Sequence, residues 1–229
     1  MEEEKHIFIA TPAFGGNVSS HYTESLIHTI NLLKSFNIKV TVKFINNQIT
    51  TRARNMLADI FMKNDTFTHM LFIDADVEWK PESVLSLIKN DQECVIGVYP
   101  NKGYTWVEDK LTIGPSSVFT KNAEPNWVNP NLIEVDLAAT GFMLLTKSAL
   151  KRIEPDIETF YLPGDNGQPC EVYNYFDCNV VNKNYLTEDY YFSFLFKKNG
   201  GTIYADNSVV LYHIGTHKYG ELIMNKLIK

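Results

Sequence analysis

Two pairs of carboxylates stand at the ends of predicted elements, where their side chains could bind a cation or move a proton. Asp74 and Asp76 are separated by one alanine and follow the apolar run 69–73, which is too short for a helix of ordinary length. Glu188 and Asp189 open a predicted helix. Each pair alone also has a structural explanation, because an Asp-x-Asp turn can bond to its own backbone and acids in a first helical turn complement the helix dipole.

His213 follows a short apolar run near the end of the chain and adds an imidazole to the two acid pairs. Asp76 and His213 together could hold Mn²⁺ or Mg²⁺, and the mixed oxygen and nitrogen set leans towards Mn²⁺. Lewis-acid assistance of this kind neutralises a diphosphate as it leaves. A carboxylate from the 188–189 pair could take a proton from an attacking hydroxyl. Taken alone, a histidine after a strand is more often an ordinary loop residue. Taken together, these residues predict group transfer from an activated nucleotide to an alcohol.

The first half of the sequence alternates short apolar runs with amphipathic segments, which predicts strands alternating with helices. The first strand breaks at Thr11-Pro12, and Ser19 or Ser20 can cap the helix that follows and ends at Asn37. This order is typical of the parallel sheet of a nucleotide-binding α/β domain. The further predicted elements are strands at 38–44, 69–73 and 94–99 and helices at 50–63 and 81–89.

The second half combines polar, proline-rich loops with further strands and helices. We expect loop or irregular hairpin at 100–131 and a second loop at 155–186. Gly141 interrupts two strands and permits a close backbone approach or a bulge. The other predicted elements are strands at 132–137, 142–146, 202–205 and 209–212, helices at 147–153 and from 187 to Gly200-Gly201, and a helical tail at 219–229. The pattern predicts one α/β domain over residues 1–229.

The composition limits the class of partner. The net charge is −6 and no long basic run occurs, so a nucleic-acid substrate is disfavoured, while a nucleotide bridged by a metal stays compatible. Cys94, Cys170 and Cys178 form no CxxC pair and predict free thiols. No apolar window approaches the ~18–20 residues of a transmembrane helix, and no signal region follows the acidic start. We therefore expect a soluble, cytoplasmic protein.

An ordered set of four motifs resembles the GT-A glycosyltransferases. In this sequence the set comprises Asp74-Ala75-Asp76, Thr140-Gly141, Thr187-Glu188-Asp189 and His213. The resemblance extends from about residue 6 to about residue 217 and is closer still to the small glycosyltransferase domains of chlorella-virus proteins that build capsid glycans. A viral origin would place the protein in the host-cell cytoplasm. The segments that carry this finer likeness are 9–12, 51–55, 72–77 and 188–192.

The resemblance implies a fold and a role for each matching residue. The fold would be a three-layer α/β/α GT-A domain around a central, mostly parallel mixed sheet. Asp189 would be the catalytic base of an inverting, single-displacement reaction, supported by Glu188, although spacing does not separate these neighbours. In the donor site, Thr11 and Pro12 would lie by the base, Arg54 near the nucleotide, Asp74 by the ribose or donor sugar, Gly141 in the glycine-containing loop, and Asp76 and His213 on the metal.

The expected function is transfer of a sugar from a nucleotide donor, UDP-linked, to a saccharide acceptor. An aromatic acceptor platform could be formed by Trp106, Trp127, Tyr173 and Tyr175. One alternative is a nucleotidyltransferase that makes sugar nucleotides, but Thr11 to Asn17 lacks the basic residues such a loop needs. A second alternative is a non-catalytic glycan-binding module with the same fold.

Overall fold

The computed structural model describes residues 4–46, 48–107, 110–113, 118–119, 129–163, 167–216 and 218–220. Its helices are α1 (Ser20–Ser35), α2 (Thr50–Lys63), α3 (Pro81–Lys89), α4 (Lys147–Ile153) and α5 (Glu188–Lys198). Its strands are β1 (His6–Ala13), β2 (Lys39–Asn46), β3 (His69–Ile73), β4 (Val77–Trp79), β5 (Cys94–Ile96), β6 (Tyr104–Val107), β7 (Lys110–Ile113), β8 (Val118–Phe119), β9 (Leu132–Val135), β10 (Leu137–Ala138), β11 (Phe142–Thr146), β12 (Thr159–Pro163), β13 (Pro169–Tyr173), β14 (Asn179–Val181), β15 (Asn184–Leu186), β16 (Ile203–Asp206), β17 (Leu211–Ile214) and β18 (Lys218–Gly220).

A seven-stranded mixed sheet with the order β2-β1-β3-β11-β5-β16-β9 forms the centre of the molecule. Strands β1, β2, β3, β5 and β16 run in one direction, and β11 and β9 run against them. The predicted mostly parallel mixed sheet is therefore confirmed. β11, from the second half of the chain, lies between β3 and β5. The four strands predicted in the first half, β1, β2, β3 and β5, therefore do not form a contiguous parallel unit.

Helices cover both faces of this sheet, because its inner strands are apolar on both sides. In β3, Met70 and Phe72 pack with residues of α2, α4 and α5, whereas Leu71 and Ile73 pack with residues of α1 and α3. All four of these side chains are fully buried. A strand buried on both faces reads as a continuous apolar run, and the resulting α/β/α layering confirms the predicted architecture.

Hydrophobic periodicity located the helices accurately. The bounds of α2, α3 and α4 are those predicted, and Ser19 caps α1 by accepting a hydrogen bond from the Tyr22 N–H at 3.0 Å. Gly200 ends α5 with a φ of 78°, a left-handed conformation that glycine adopts without strain. In the described ranges no helix is long and apolar enough to cross a membrane.

Several loop predictions need correction. β1 continues through Thr11-Pro12 to Ala13, because past Ala10 it pairs with β2 alone and an open edge tolerates proline. The predicted loop 155–186 contains two hairpins, β12–β13 and β14–β15. The predicted strand 132–137 is interrupted at Asp136. Tyr219 and Gly220 belong to β18 instead of a helical tail, and 221–229 lie outside the described residues.

A second, three-stranded sheet connects the segment after β3 to the last two described strands, β17 and β18. β4 pairs with β17, and β17 pairs with β18, both antiparallel. His213 lies opposite Val77, one residue after Asp76. The Ile214 N–H also donates to the Asp76 carbonyl at 2.7 Å. This small sheet therefore fixes His213 beside Asp76.

The buried side chain of Asn55 anchors the segment after β13 to α2. Its amide donates to the Phe176 carbonyl at 3.0 Å and accepts from the Phe176 N–H at 2.8 Å. We predict that Asn55→Ala lowers the free energy of unfolding by about 2–4 kcal/mol, because both backbone groups stay buried without a partner. Urea denaturation would measure the change. Asn184→Ala, at an exposed hairpin position, should change it by less than about 0.5 kcal/mol; equal losses in both variants would contradict the anchoring role.

Candidate active site

A cavity of about 540 Å³ opens at the carboxyl ends of β1 and β3. This edge is where ligands bind in open α/β sheets. Five of the predicted donor-site residues line it: Pro12, Arg54, Asp74, Asp76 and His213. The remaining lining residues are Phe14, Asn17, Val18, Ser19, Gln48, Thr50, Ala75, Ile214 and Gly215.

Asp76 and His213 are arranged as cation ligands. The His213 Nδ1 lies 3.0 Å from the Pro100 carbonyl oxygen, which only accepts, so we assign the ring proton to Nδ1. The other ring nitrogen, Nε2, lies 3.4 Å from Asp76 Oδ1 and would bind an ion through its lone pair. A backbone carbonyl that orients the other ring nitrogen is the usual support of a metal-binding histidine. The pair therefore fits a divalent ion.

No third His, Cys, Asp or Glu joins this pair among the described residues. The second Asp76 oxygen, Oδ2, contacts the ammonium of Lys102. Burial would raise the pKa of Asp76, but hydrogen bonds from His213 and Lys102 and their charges lower it to about 2. Asp76 is therefore a carboxylate at neutral pH, and further ligands of a bound ion would come from water or from a substrate.

Arg54 joins two of the predicted acids across a buried position. Its Nη2 donates to Asp74 Oδ1 at 2.9 Å and its Nε donates to Glu188 Oε1 at 3.3 Å. The guanidinium also lies 5.3 Å from the centre of the Phe72 ring. Burial would lower the pKa of Arg54, but the charges of Asp74 and Glu188 raise it above its ordinary value. Its Nη1 is buried with no hydrogen-bond partner in the described residues, although Arg54 lines the cavity.

Gly141 provides the close backbone approach that the sequence suggested. The Asp74 N–H donates to the Gly141 carbonyl at 3.0 Å, and the Gly141 N–H donates to the Tyr99 hydroxyl at 3.1 Å. A Cβ at Gly141 would lie 2.2 Å from the Tyr99 hydroxyl oxygen and 2.7 Å from Asp74 Oδ2. A side chain therefore cannot be added without moving Asp74.

Glu188 and Asp189 have different surroundings although they are adjacent. Glu188 is held by Arg54, whereas Asp189 Oδ1 accepts from the Tyr190 N–H at 2.8 Å and from the Thr187 hydroxyl. Burial raises the pKa of Asp189, and the charge of Glu188 adds to the increase. Thr187 occupies the N-cap position, but its hydroxyl bonds to Asp189 and makes no capping hydrogen bond to the helix backbone.

Some expected contacts fall elsewhere. The Thr11 side chain is fully buried and bonds to the Tyr22 hydroxyl at 2.6 Å, so it supports the cavity wall from behind. Tyr175 is buried and donates to Glu154 at 2.8 Å, so it cannot form part of an exposed acceptor platform; Tyr173 is 39% exposed. The Trp106 side chain and Trp127 lie outside the described residues.

Three contributors were not identified from the sequence. Lys102 lies in the segment 100–131, for which the sequence predicts a loop or an irregular hairpin. Tyr99 is the last residue of the predicted strand 94–99. Phe14 lines the cavity and is 79% exposed. A phenylalanine immediately before Gly15-Gly16 was the available signal, since an apolar ring in a glycine loop has no core to join.

Comparisons with known proteins identify the fold. No protein-family model and no curated protein matches the sequence. Among solved structures, A197 from STIV is 18% identical with a TM-score of 0.51 over 92% of this chain and 86% of that chain. GalNAc-T7 with UDP, GalNAc and Mn²⁺ is 11% identical with a TM-score of 0.48, over 94% of this chain and only 45% of its own length.

The inositol-1-phosphate CTP transferase of T. maritima is 9% identical with a TM-score of 0.44, over 93% of this chain and 89% of that chain. Glycosyltransferases and nucleotidyltransferases thus both occur among the structural neighbours. Identities this low establish the fold and no more. The chain has the GT-A fold, a mixed α/β architecture around a mostly parallel seven-stranded sheet.

The bridge formed by Arg54 can be tested through stability. We predict that Arg54→Met lowers the free energy of unfolding by about 3–5 kcal/mol at pH 7, because Asp74 and Glu188 are left as unpaired neighbouring carboxylates. Without the cation the two carboxylates face each other unpaired, so replacing one of them as well, in Arg54→Met/Glu188→Gln, should recover part of the loss. Urea denaturation of both variants at pH 7 measures the two effects.

The neighbouring Arg52 is exposed and serves as a matched control. Arg52→Met should change the free energy of unfolding by less than about 0.5 kcal/mol. An Arg54→Met deficit that the added Glu188→Gln leaves unchanged would show that lost packing, and not the two carboxylates, causes it.

Proposed function

We propose that this protein is a metal-dependent glycosyltransferase that moves a sugar from a nucleotide-diphosphate donor, UDP-linked, to a hydroxyl of a saccharide acceptor with inversion. One observation carries the proposal. Residues far apart in sequence, at 54, 74–76, 141, 188 and 213, are connected at one edge of a GT-A sheet by direct contacts, and Asp189 adjoins Glu188. A nucleotide sugar needs these groups together: cation ligands, a fixed positive charge and a base.

The cavity suits a nucleoside diphosphate. Asp76 and His213 would hold Mn²⁺ or Mg²⁺, and a bound ion of this kind supplies Lewis-acid stabilisation of the leaving diphosphate. Ser19, at the start of the 16-residue helix α1, lines the same cavity, and the positive end of a helix favours phosphate groups. The exposed ring of Phe14, next to Pro12, provides a face on which a base can stack.

Arg54 and Asp74 would position the sugar end of the donor. The Nη1 of Arg54 is a buried donor with no hydrogen-bond partner among the described residues, and a ligand oxygen in the cavity would satisfy it. Gly141 holds the Asp74 backbone close to Tyr99, which keeps the carboxylate in place. Each residue of this group therefore has a fixed position before the donor binds, and such preorganisation favours transfer.

Asp189 is the better candidate for the base. An oxygen of Glu188 is occupied by the Arg54 guanidinium, whereas Asp189 has no cation partner in the described residues and burial raises its pKa. A base with a raised pKa accepts a proton more readily at neutral pH. In a single displacement, Asp189 takes the proton of the acceptor hydroxyl as the new C–O bond forms and the nucleoside diphosphate leaves from the opposite face of the sugar.

Two alternatives make different products. A nucleotidyltransferase on the same fold would release pyrophosphate, whereas a glycosyltransferase releases a nucleoside diphosphate. The segment from Thr11 to Asn17 contains no Lys or Arg to bind a triphosphate, which disfavours the first alternative. A non-catalytic glycan-binding module would bind sugar without metal and would not hydrolyse a donor.

We predict that one nucleotide sugar of the UDP class raises the melting temperature only when Mn²⁺ is present. The ion would join Asp76 and His213 to the diphosphate, and a ligand that binds the folded state stabilises it by mass action. A thermal-shift screen of UDP-, GDP- and CMP-sugars with and without Mn²⁺ measures this. Asp76→Ala should abolish the metal-dependent shift, while Asp59→Ala should keep it, because this partly buried acid of α2 pairs with Lys63 and does not line the cavity. Equal shifts in Asp76→Ala and wild type would contradict the metal assignment.

We predict that the rate of transfer or of donor hydrolysis rises with pH through the raised pKa of Asp189. The Asp189 carboxyl must be deprotonated to act as the base. The rate therefore falls as the pH is lowered through the pKa of Asp189, which lies above the ordinary value for an aspartate. Asp189→Asn should lower kcat by at least about 10²-fold while leaving UDP binding unchanged. If Glu188→Gln abolishes the fall in rate at low pH and Asp189→Asn does not, Glu188 is the base and Asp189 is not.

A further inference from the structure

Lys102 lies against the carboxylate that would bind the metal ion. Its ammonium contacts Asp76 Oδ2, while the His213 Nε2 lies 3.4 Å from the other oxygen, Oδ1. The Lys102 and Asp76 side chains are 37% and 38% exposed, so the pair is neither fully buried nor freely solvated. In the free protein a positive charge from the chain itself therefore occupies one of the two Asp76 oxygens.

The position of Lys102 is set by the same segment that orients the site. The Gly97 N–H donates to the Phe142 carbonyl at 3.0 Å, and the Tyr99 hydroxyl accepts from the Gly141 N–H at 3.1 Å. Tyr99 also packs edge-on against the His213 ring at 5.1 Å. Gly97 is thus tied to β11, Tyr99 contacts Gly141 and His213, and the Pro100 carbonyl contacts His213, so Lys102 extends from a backbone that is anchored just before it.

An ammonium and a divalent ion that share the Asp76 carboxylate weaken each other's binding to it. If the free protein spends most of its time with Lys102 on Oδ2, only the remaining fraction can bind the ion with its intrinsic affinity. A bound diphosphate changes this balance, because its negative oxygens attract both the ion and the displaced ammonium.

We propose that Lys102 is an internal cation that competes with the divalent ion for Asp76, and that on displacement it binds the diphosphate of the donor. Asp76 then takes up the ion together with the nucleotide instead of before it. This inference rests on the proposed function, since it assumes that Asp76 and His213 hold a divalent ion.

The test compares binding of Mn²⁺ alone with binding of UDP in the presence of Mn²⁺, using the full chain. Lys102→Met should bind Mn²⁺ about two- to fivefold more tightly than wild type when no nucleotide is present, the size expected for removal of a partly exposed ion pair. The same variant should bind UDP about two- to fivefold more weakly in saturating Mn²⁺. Electron paramagnetic resonance of free Mn²⁺ and calorimetry of UDP measure the two constants without turnover.

Lys218→Met is the matched control, and Lys102→Arg is the conservative variant. Lys218 lies in β18, in the small sheet that carries His213, and pairs with Glu78 at 2.8 Å, so its loss removes the same charge without touching Asp76. Lys218→Met should leave both constants near wild type, and Lys102→Arg should keep weak Mn²⁺ binding. Unchanged melting temperatures would show that all variants are folded.

Three outcomes would overturn the proposal. If Lys218→Met tightens Mn²⁺ binding as much as Lys102→Met, the effect is one of general charge. If Lys102→Met binds Mn²⁺ no more tightly than wild type, no competition exists. If wild type binds UDP equally well without Mn²⁺ and Lys102→Met loses that binding, lysine replaces the ion instead of competing with it. Failure of wild type to bind Mn²⁺ with or without UDP would instead reject the metal site of the proposed function, and the competition with it.

Discussion

The buried guanidinium of Arg54 is the interaction on which the candidate site depends. It joins Asp74, at the end of β3, to Glu188, at the start of α5, and its own helix α2 precedes both in the chain. Two carboxylates at a partly buried edge would repel each other and lose solvation, so a cation must accompany them. Because Arg54 makes both contacts, the placement of α2 and α5 relative to the central sheet is coupled to the shape of the cavity.

The same edge places four acids in different electrostatic environments. Asp74 and Glu188 share the fixed charge of Arg54, and Asp76 meets a cation on one oxygen and an imidazole on the other. Asp189 has a raised pKa because it is buried beside Glu188. Groups of one chemical type thereby differ in what they can do, which suits them to the separate roles that we propose in positioning, cation binding and proton transfer.

Sequence patterns were most reliable for features that depend only on the residues of a single helix or strand. The bounds of α2, α3 and α4 followed from apolar periodicity and end signals, and the burial of β3 followed from its continuous apolar run. The order of the strands did not follow, because nothing local to β11 states that it lies between β3 and β5. The hairpins within 155–186 were also missed, since their strands are short, polar and mostly exposed.

By itself the sequence determined the layered α/β class and the identity of the acids, the histidine and the glycine that face the site, because periodicity and element ends are local properties. The tertiary structure alone decided that Arg54 holds the acids instead of standing on a solvated face, that Thr11 turns away from the cavity, and that Lys102 reaches Asp76. These contacts join residues that are far apart in the chain, and their geometry depends on how sheet, helices and loops pack together.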